Sequence, residues 1–311
     1  MKTRRFIQLG ALLLTVLSLS LSSCKKDNID EGSKDSTSME QLSADENNVE
    51  NVTEDALKDV EGVLSNQGGY KSTSGIPCNA TVDSVSVVND TITLYITYDG
   101  LNCNGTRMRT GQVEIRKKVG THWGQPLSTV KIKYIDFTVT RVATGRSIVL
   151  NGEKTFENVS GGFIWMLGTS MTSLVHKVSG YMNITFDNGT TRNWSVARQT
   201  TYSGTPGQLL VTIDGFGSTE GYSNLVTWGT NRQGEQFYTQ ITQSVVHKEL
   251  CGWDPVSGIK VHQIPAVSKM ATITFGFNNN NEPIGDDECP TRYRIDWTNG
   301  TYSGTAFLQL P

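Results

Sequence analysis

What this chain lacks narrows its chemistry before anything positive is read from it. Only four histidines occur, His122, His176, His247 and His262. None stands in an H-E-x-x-H or other short-range ligand spacing, so the sequence offers no case for a zinc hydrolase. No C-x-x-C pair occurs either, which removes the usual cysteine route to a structural metal. The glycine-rich stretch Gly215-Phe216-Gly217-Ser218-Thr219-Glu220-Gly221 surrounds a serine without matching G-x-S-x-G. No Gly-Lys-Ser/Thr follows it, so it is not a phosphate cradle and reads as a loop. Beyond Leu21 no run of eighteen apolar residues appears, which excludes a later membrane-spanning helix. Prolines number 8 against 31 glycines, so the chain is punctuated by hairpins.

Excess charge is also scarce, except in one segment. The formal net charge is -3. Residues 25 to 62 hold twelve acidic residues and four lysines, whereas residues 63 to 311 carry a net charge of only +2. A body so close to neutral has no electrostatic footprint for nucleic acid.

The first residues are where the sequence is most specific. Lys2, Arg4 and Arg5 form a basic head, and an apolar run from Phe6 to Leu21 follows. That run is short for a membrane span and has the form of an export signal. It closes on Leu21-Ser22-Ser23-Cys24, which resembles the lipobox of bacterial lipoproteins. The resemblance implies a signal peptide over 1–23, cleavage before Cys24, and acyl chains (palmitate among them) on the Cys24 thiol and amine. One chain holds a protein marginally and two or more hold it stably, so the expected state is a lipid-anchored protein. The following Lys25-Lys26-Asp27 and Asp30-Glu31 are similar to the lysine-then-acidic pattern of surface-exported lipoproteins of the Bacteroidota, although Asn28 and Ile29 interrupt it. A plain soluble linker accounts for the same residues, so the leaflet stays open.

Residues 24–75 read as an acylated cysteine, a flexible acidic tether to about residue 51, and a short helix. The tether expectation rests on polarity: too few apolar residues to offset the entropy of ordering. Thr53 is placed to cap the helix, with Glu54 and Asp55 in its first turn. Leu57, Val60 and Leu64 share one face, and Gly68-Gly69 ends it.

Residues 76–311 have the texture of an antiparallel β body. Thr91 to Tyr98 alternates apolar and threonine positions with a period of two. Val130, Ile132 and Tyr134 alternate likewise, but Phe137 and Val139 continue out of phase, and a bulge near Tyr134 restores the buried face. Asn89-Asp90, Asp99-Gly100, Asn188-Gly189 and Asn299-Gly300 supply turns. The expected fold class is all-β: an extended antiparallel meander, as a curved sheet or two packed sheets, with one short N-terminal helix. Apart from Cys24, four cysteines remain: Cys78, Cys103, Cys251 and Cys289. In an exported chain they imply two disulfides with three possible connectivities. The pairs Cys78–Cys103 and Cys251–Cys289 are preferred because each closes a local loop.

A loose echo recurs through the body: strand, turn, then Thr-Arg, at Thr106-Arg107, Thr191-Arg192 and Thr291-Arg292. With Tyr98-Asp99-Gly100-Leu101-Asn102-Cys103-Asn104-Gly105-Thr106-Arg107, with Gly111, with Thr227-Trp228-Gly229-Thr230-Asn231-Arg232-Gln233-Gly234, and with the cysteine-bearing C-terminal hairpin, it resembles a group of uncharacterised outer-membrane lipoproteins of the Bacteroidota. The resemblance covers roughly 76–311 and implies an all-β shape and an outer-membrane address. It brings no catalytic residues.

Function is therefore expected to be structural or interactive, not enzymatic, with no cofactor, no metal and no nucleic acid, and with the membrane as partner through Cys24. A cell-surface glycan or protein is the further partner considered. Trp194, Trp228, Trp253 and Trp297 are the candidate ligand-binding residues, because exposed indoles stack on sugar rings, although a Trp in a β domain is commonly core. A hydrolase would need two converging carboxylates, for which Asp136, Glu153, Glu157 and Asp214 are the candidates. The acidic loop from Asn278 to Glu288 concentrates oxygen ligands but lacks the regular calcium-loop spacing.

Overall fold

A computed structural model describes residues 31–66, 77–219 and 221–310. Cys24, the preceding signal, residues 25–30 and Gly68-Gly69 lie outside the described residues.

The helix is more than twice as long as the sequence reading allows. Helix α1 runs Glu31–Asn66, 36 residues, so from Glu31 onward the expected flexible tether is helix instead. Its length corresponds to roughly 54 Å. The residues at a 3-4 alternation, Met39, Leu42, Glu46, Val49, Thr53, Ala56, Val60 and Val63, are all buried, the period of a coiled-coil seam. Glu46, Thr53 and Ala56 occupy seam positions without looking apolar, which hid the repeat. Leu57 and Leu64 are buried beside it, as the expected face requires. Thr53 is no cap: it lies mid-helix and its hydroxyl donates to the Glu50 carbonyl at 3.1 Å.

Among the described residues fifteen strands follow: β1 (Ala80–Val88), β2 (Thr91–Leu101), β3 (Arg107–Lys118), β4 (Ser128–Arg141), β5 (Ser147–Asn158), β6 (Ser173–Phe186), β7 (Thr191–Ser203), β8 (Leu210–Gly215), β9 (Gly217–Thr219), β10 (Tyr222–Thr230), β11 (Gln236–Lys248), β12 (Pro255–Ile264), β13 (Lys269–Phe277), β14 (Arg292–Thr298) and β15 (Ser303–Gln309). They form one antiparallel sheet in near-sequential order, which selects the curved meander over two packed sheets. The order is interrupted once, between β7 and β11, where β8 and β10 lie end to end. β10 pairs with the first half of each neighbour and β8 with the second half. The stretch 215–221 expected as a loop forms part of this device, with β9 paired to β10.

Local register follows the alternation. Leu94, Ile96 and Tyr98 of β2 are buried, and the pairing of β4 with β5 shifts between Tyr134 and Phe137, where the bulge was expected. Asp136 takes φ 46° in that bulge, facing Gly111 of β3 at φ 90°; a Cβ on Gly111 would lie 2.2 Å from the Asp136 carbonyl oxygen. Asn89-Asp90 makes the tight β1–β2 turn with both residues at positive φ. Asp99-Gly100, expected as a turn, instead continues β2 opposite Thr110 and Arg109. The disulfides join Cys78 to Cys103 and Cys251 to Cys289, each with Cα atoms 5.2 Å apart, the local pairing.

The sheet curls around α1. From Met39 to Ser65 only Gln41, Ala44, Asn51 and Lys58 are exposed, a stripe three and seven residues apart along one edge of the helix. Every other face meets strands. Tyr98 of β2 donates to Asp59 Oδ2 at 3.0 Å, while Ser43 contacts the phenol of Tyr293 on β14. One continuous apolar core joins the helix to both extremes of the meander.

Candidate functional site

The chemistry of this molecule is concentrated inside the curl, where an acidic helix meets a cationic sheet. Period-two alternation sends every second side chain of a strand to the concave face. On several strands that side chain is basic: Arg109, Lys154, Arg192, Arg198, Lys260, His176 and His262 are all buried. A buried cation is tolerated only with a partner, and α1 supplies them. Glu46 accepts hydrogen bonds from Arg192, from Thr227 and, at 3.2 Å, from the Trp194 indole. Glu50 is reached by Lys260 Nζ at 2.8 Å and Arg198 Nη1 at 3.2 Å, and Glu54 takes the other arm of Arg198. On the opposite flank Arg107 meets Asp55, and Arg109 Nη1 lies 2.7 Å from Asp59 Oδ2. Near the start of the seam Arg232 grips Asp45 with both arms, at 2.6 and 2.7 Å, its guanidinium 3.5 Å above the Phe186 ring.

Electrostatics within the curl differ along its length. Burial would raise the Glu50 carboxyl, but Lys260 and Arg198 outweigh it and hold it at about 2. Lys154 has no such cluster. Burial pushes it down to about 7 against the pull of Glu50, and its ammonium sits over the Trp194 and Tyr134 rings at 4.8 and 5.7 Å. Farther along α1, Glu61 is pushed up by burial to about 7 and His176, 4.0 Å away, down to about 4. This pair is neutral in mildly acidic water: a protonated acid beside an uncharged imidazole. His262, lowered by burial to about 3, shares a 2.8 Å hydrogen bond with Thr239.

No protein-family model, curated protein or solved structure matches this chain.

The four indoles singled out by sequence do not share a surface. Trp194 is 1 % exposed and belongs to the Glu46 network. Trp297 is 9 % exposed and lies under Gly304, where a Cβ would come within 2.7 Å of its ring. Trp228 is half-buried against Gly217. Trp253 alone is exposed, at 40 %, with Lys58 Nζ 5.9 Å from its ring and its carbonyl bonded to His247 Nδ1 at 2.8 Å. Three of the candidate carboxylates are engaged by a neighbouring strand: Asp136 with Asn151, Asp214 with Ser244, and Glu153 with Lys131. Glu157 is half-buried on β5 opposite Thr129 and Lys177. In the acidic loop, Asn278 Oδ1 accepts the backbone N–H groups of Asn280 and Glu282, and Asn281 is bonded by Arg292. Among the described residues no three His, Cys, Asp or Glu are grouped to hold a metal ion.

The cationic lining is what sequence reasoning missed. Partners such as Arg192 and Glu46, or Lys260 and Glu50, are 146 and 210 residues apart, beyond any local pattern. One signal pointed there. Of the three Thr-Arg copies, Arg107 and Arg192 both stand at a strand start and bind an α1 carboxylate, while Arg292 binds Asn281.

Proposed function

We propose that this chain is a lipoprotein of the outer membrane, anchored through Cys24, whose curled sheet is a structural or interaction module and not an enzyme. The observation that carries this reading is the position of α1. Glu31 follows Cys24 by seven residues, a stretch that spans at most about 25 Å when extended. The β body then rides close to the bilayer, not at the end of a fifty-residue tether. The carboxylates and cations inside the curl hold helix to sheet, a structural use of buried charge.

The test is Cys24→Ala in the full-length protein. Loss of palmitate labelling together with release from the membrane pellet is the expected result; retention of both overturns the reading. A second reading, a surface module for glycans, draws its support from an exposed ring outside the four indoles discussed above, Trp165 between β5 and β6.

A further inference from the structure

The connection between β5 and β6 is an unusual surface for a protein whose other charges are so carefully placed. From Asn158 to Val175 it contains no Asp, Glu, Lys, Arg or His. It is nonetheless firmly folded. Phe163 to Met166 make a single tight turn, with Met166 N donating to Phe163 O at 2.9 Å and Leu167 N to Ile164 O at 3.1 Å. Gly168 N donates to Met171 O at 2.9 Å and closes a second turn. Leu167 is fully buried with Leu174 and Leu209, and Ile164 and Met171 pack against them. The aliphatic side chains of the loop are thus turned inward.

One ring is turned outward. Trp165 is 62 % exposed, and its inner face is stacked nearly parallel on Phe163, centroids 5.8 Å apart at 10°. Phe163 cannot slide away on the side of Gly124, where an added Cβ would come within 2.6 Å of its ring. The indole is therefore a flat apolar plate on a fixed support. Three residues along the chain, at Gly168, begins an open depression of about 430 Å³ lined by Gly168, Thr169, Ser170, Met171, Thr172 and, from the β7–β8 connection, Gly204 and Thr205. Its volume falls in the range of small-ligand sites, about 300–1,000 Å³. Four of the lining residues carry hydroxyls, and none is ionisable. Thr169 Oγ1 donates to Met166 O at 2.9 Å, which leaves that oxygen free to accept.

We propose that Trp165 and this hydroxyl-lined depression form a binding site for a neutral oligosaccharide. A pyranose ring offers an apolar C–H face and a rim of hydroxyls, and this loop offers an exposed aromatic plate and, three residues on, a depression with hydroxyl partners. Phosphorylated or acidic ligands find no cation among the residues that line the depression. An acyl chain would need the inward-turned Ile164 and Leu167, not a rim of threonines. The rigid loop keeps the ordering cost of binding low. This inference stands apart from the Cys24 anchor, and either can fail without the other.

The experiment is titration calorimetry on the full-length lipidated protein in a zwitterionic detergent without a sugar head group. The probes are cellohexaose, xylohexaose, mannohexaose and maltohexaose, with hexagalacturonate as the charged control. Binding of at least one neutral hexasaccharide is expected, and Trp165→Ala should weaken it roughly tenfold or more, with Trp165→Phe intermediate. Both variants should melt within a degree or two of the parent, because the indole is exposed. Overturning results are the absence of binding to all four neutral probes at millimolar concentration, binding unchanged in Trp165→Ala, or equal binding of hexagalacturonate.

Discussion

Glu46→Ala is the sharpest test of what holds the helix in the sheet. In the native protein the Arg192 side chain is 0 % exposed and the Glu46 side chain 6 %. Truncating Glu46 leaves a guanidinium with no counter-charge and no route to water, and removes the acceptor for Trp194 and Thr227 as well. Breaking a buried pair from one side costs about 3–5 kcal/mol, a large share of the roughly 5–15 kcal/mol that keeps a domain folded. Asp55→Ala is the internal control. Asp55 is 38 % exposed and faces a more accessible arginine, so its loss should cost about 1 kcal/mol or less. Urea unfolding followed by far-ultraviolet circular dichroism, with both disulfides intact, reads the two differences. The cost of Glu46→Ala is assigned mainly to the stranded cation, so Glu46→Ala/Arg192→Met should be more stable than Glu46→Ala alone. Equal costs for Glu46→Ala and Asp55→Ala, or strict additivity in the double variant, would refute that assignment.

Two further outcomes follow from the structure. Glu61 is raised by burial from 4.5 to about 7, so the folded state keeps a proton that the unfolded state has released between those values. Its contribution is complete below pH 4.5 and lost as pH rises through 7. The stability of Glu61→Gln relative to the parent should therefore climb by roughly 3 kcal/mol across that window. The difference is the quantity to measure, because His176 and His262, lowered to about 4 and about 3, act oppositely in both proteins: their contribution is present above 6.5 and lost on acidification. A flat difference would show that Glu61 is solvated. At the β3–β4 bulge, Gly111→Ala forces a Cβ against the Asp136 carbonyl at positive φ and should cost about 2 kcal/mol or more. Gly105→Ala, also at positive φ but with nothing within 4 Å, should cost about 1 kcal/mol or less; thermal melts that rank the two the other way would contradict the bulge geometry.

Short-period information carried the sequence reading, and long-range information defeated it. Alternation in β2, the slip at Tyr134 and the turn at Asn89-Asp90 are set by residues within a strand of one another, and each is visible locally. Disulfide pairing was legible for the same reason, since each bridge closes a short loop. The helix was underestimated because composition averages over faces: segment 31–51 is polar overall, yet Met39, Leu42 and Val49 alone suffice once Glu46 finds Arg192 inside the sheet. Asp99-Gly100 misled because glycine was taken as punctuation. Gly100 is in fact needed where Asn79 presses on the strand, leaving 2.7 Å for a Cβ. The indoles misled because tryptophan type says nothing about which side of a strand faces out.

The distance in sequence between α1 and its counter-ions also sets the order of events at synthesis. The helix is made first, but alone it is a strip of unpaired carboxylates with no surface on which to bury its seam. Lys260 follows Glu50 by 210 residues, an interval of roughly ten to forty seconds at translation rates of about 5–20 residues per second. Arg107 and Arg192 arrive earlier, 52 and 146 residues after their carboxylates, so the helix gains its partners in stages, and the contacts of longest range form late. The chain thus carries a built-in delay between synthesis of its central helix and completion of the sheet that encloses it.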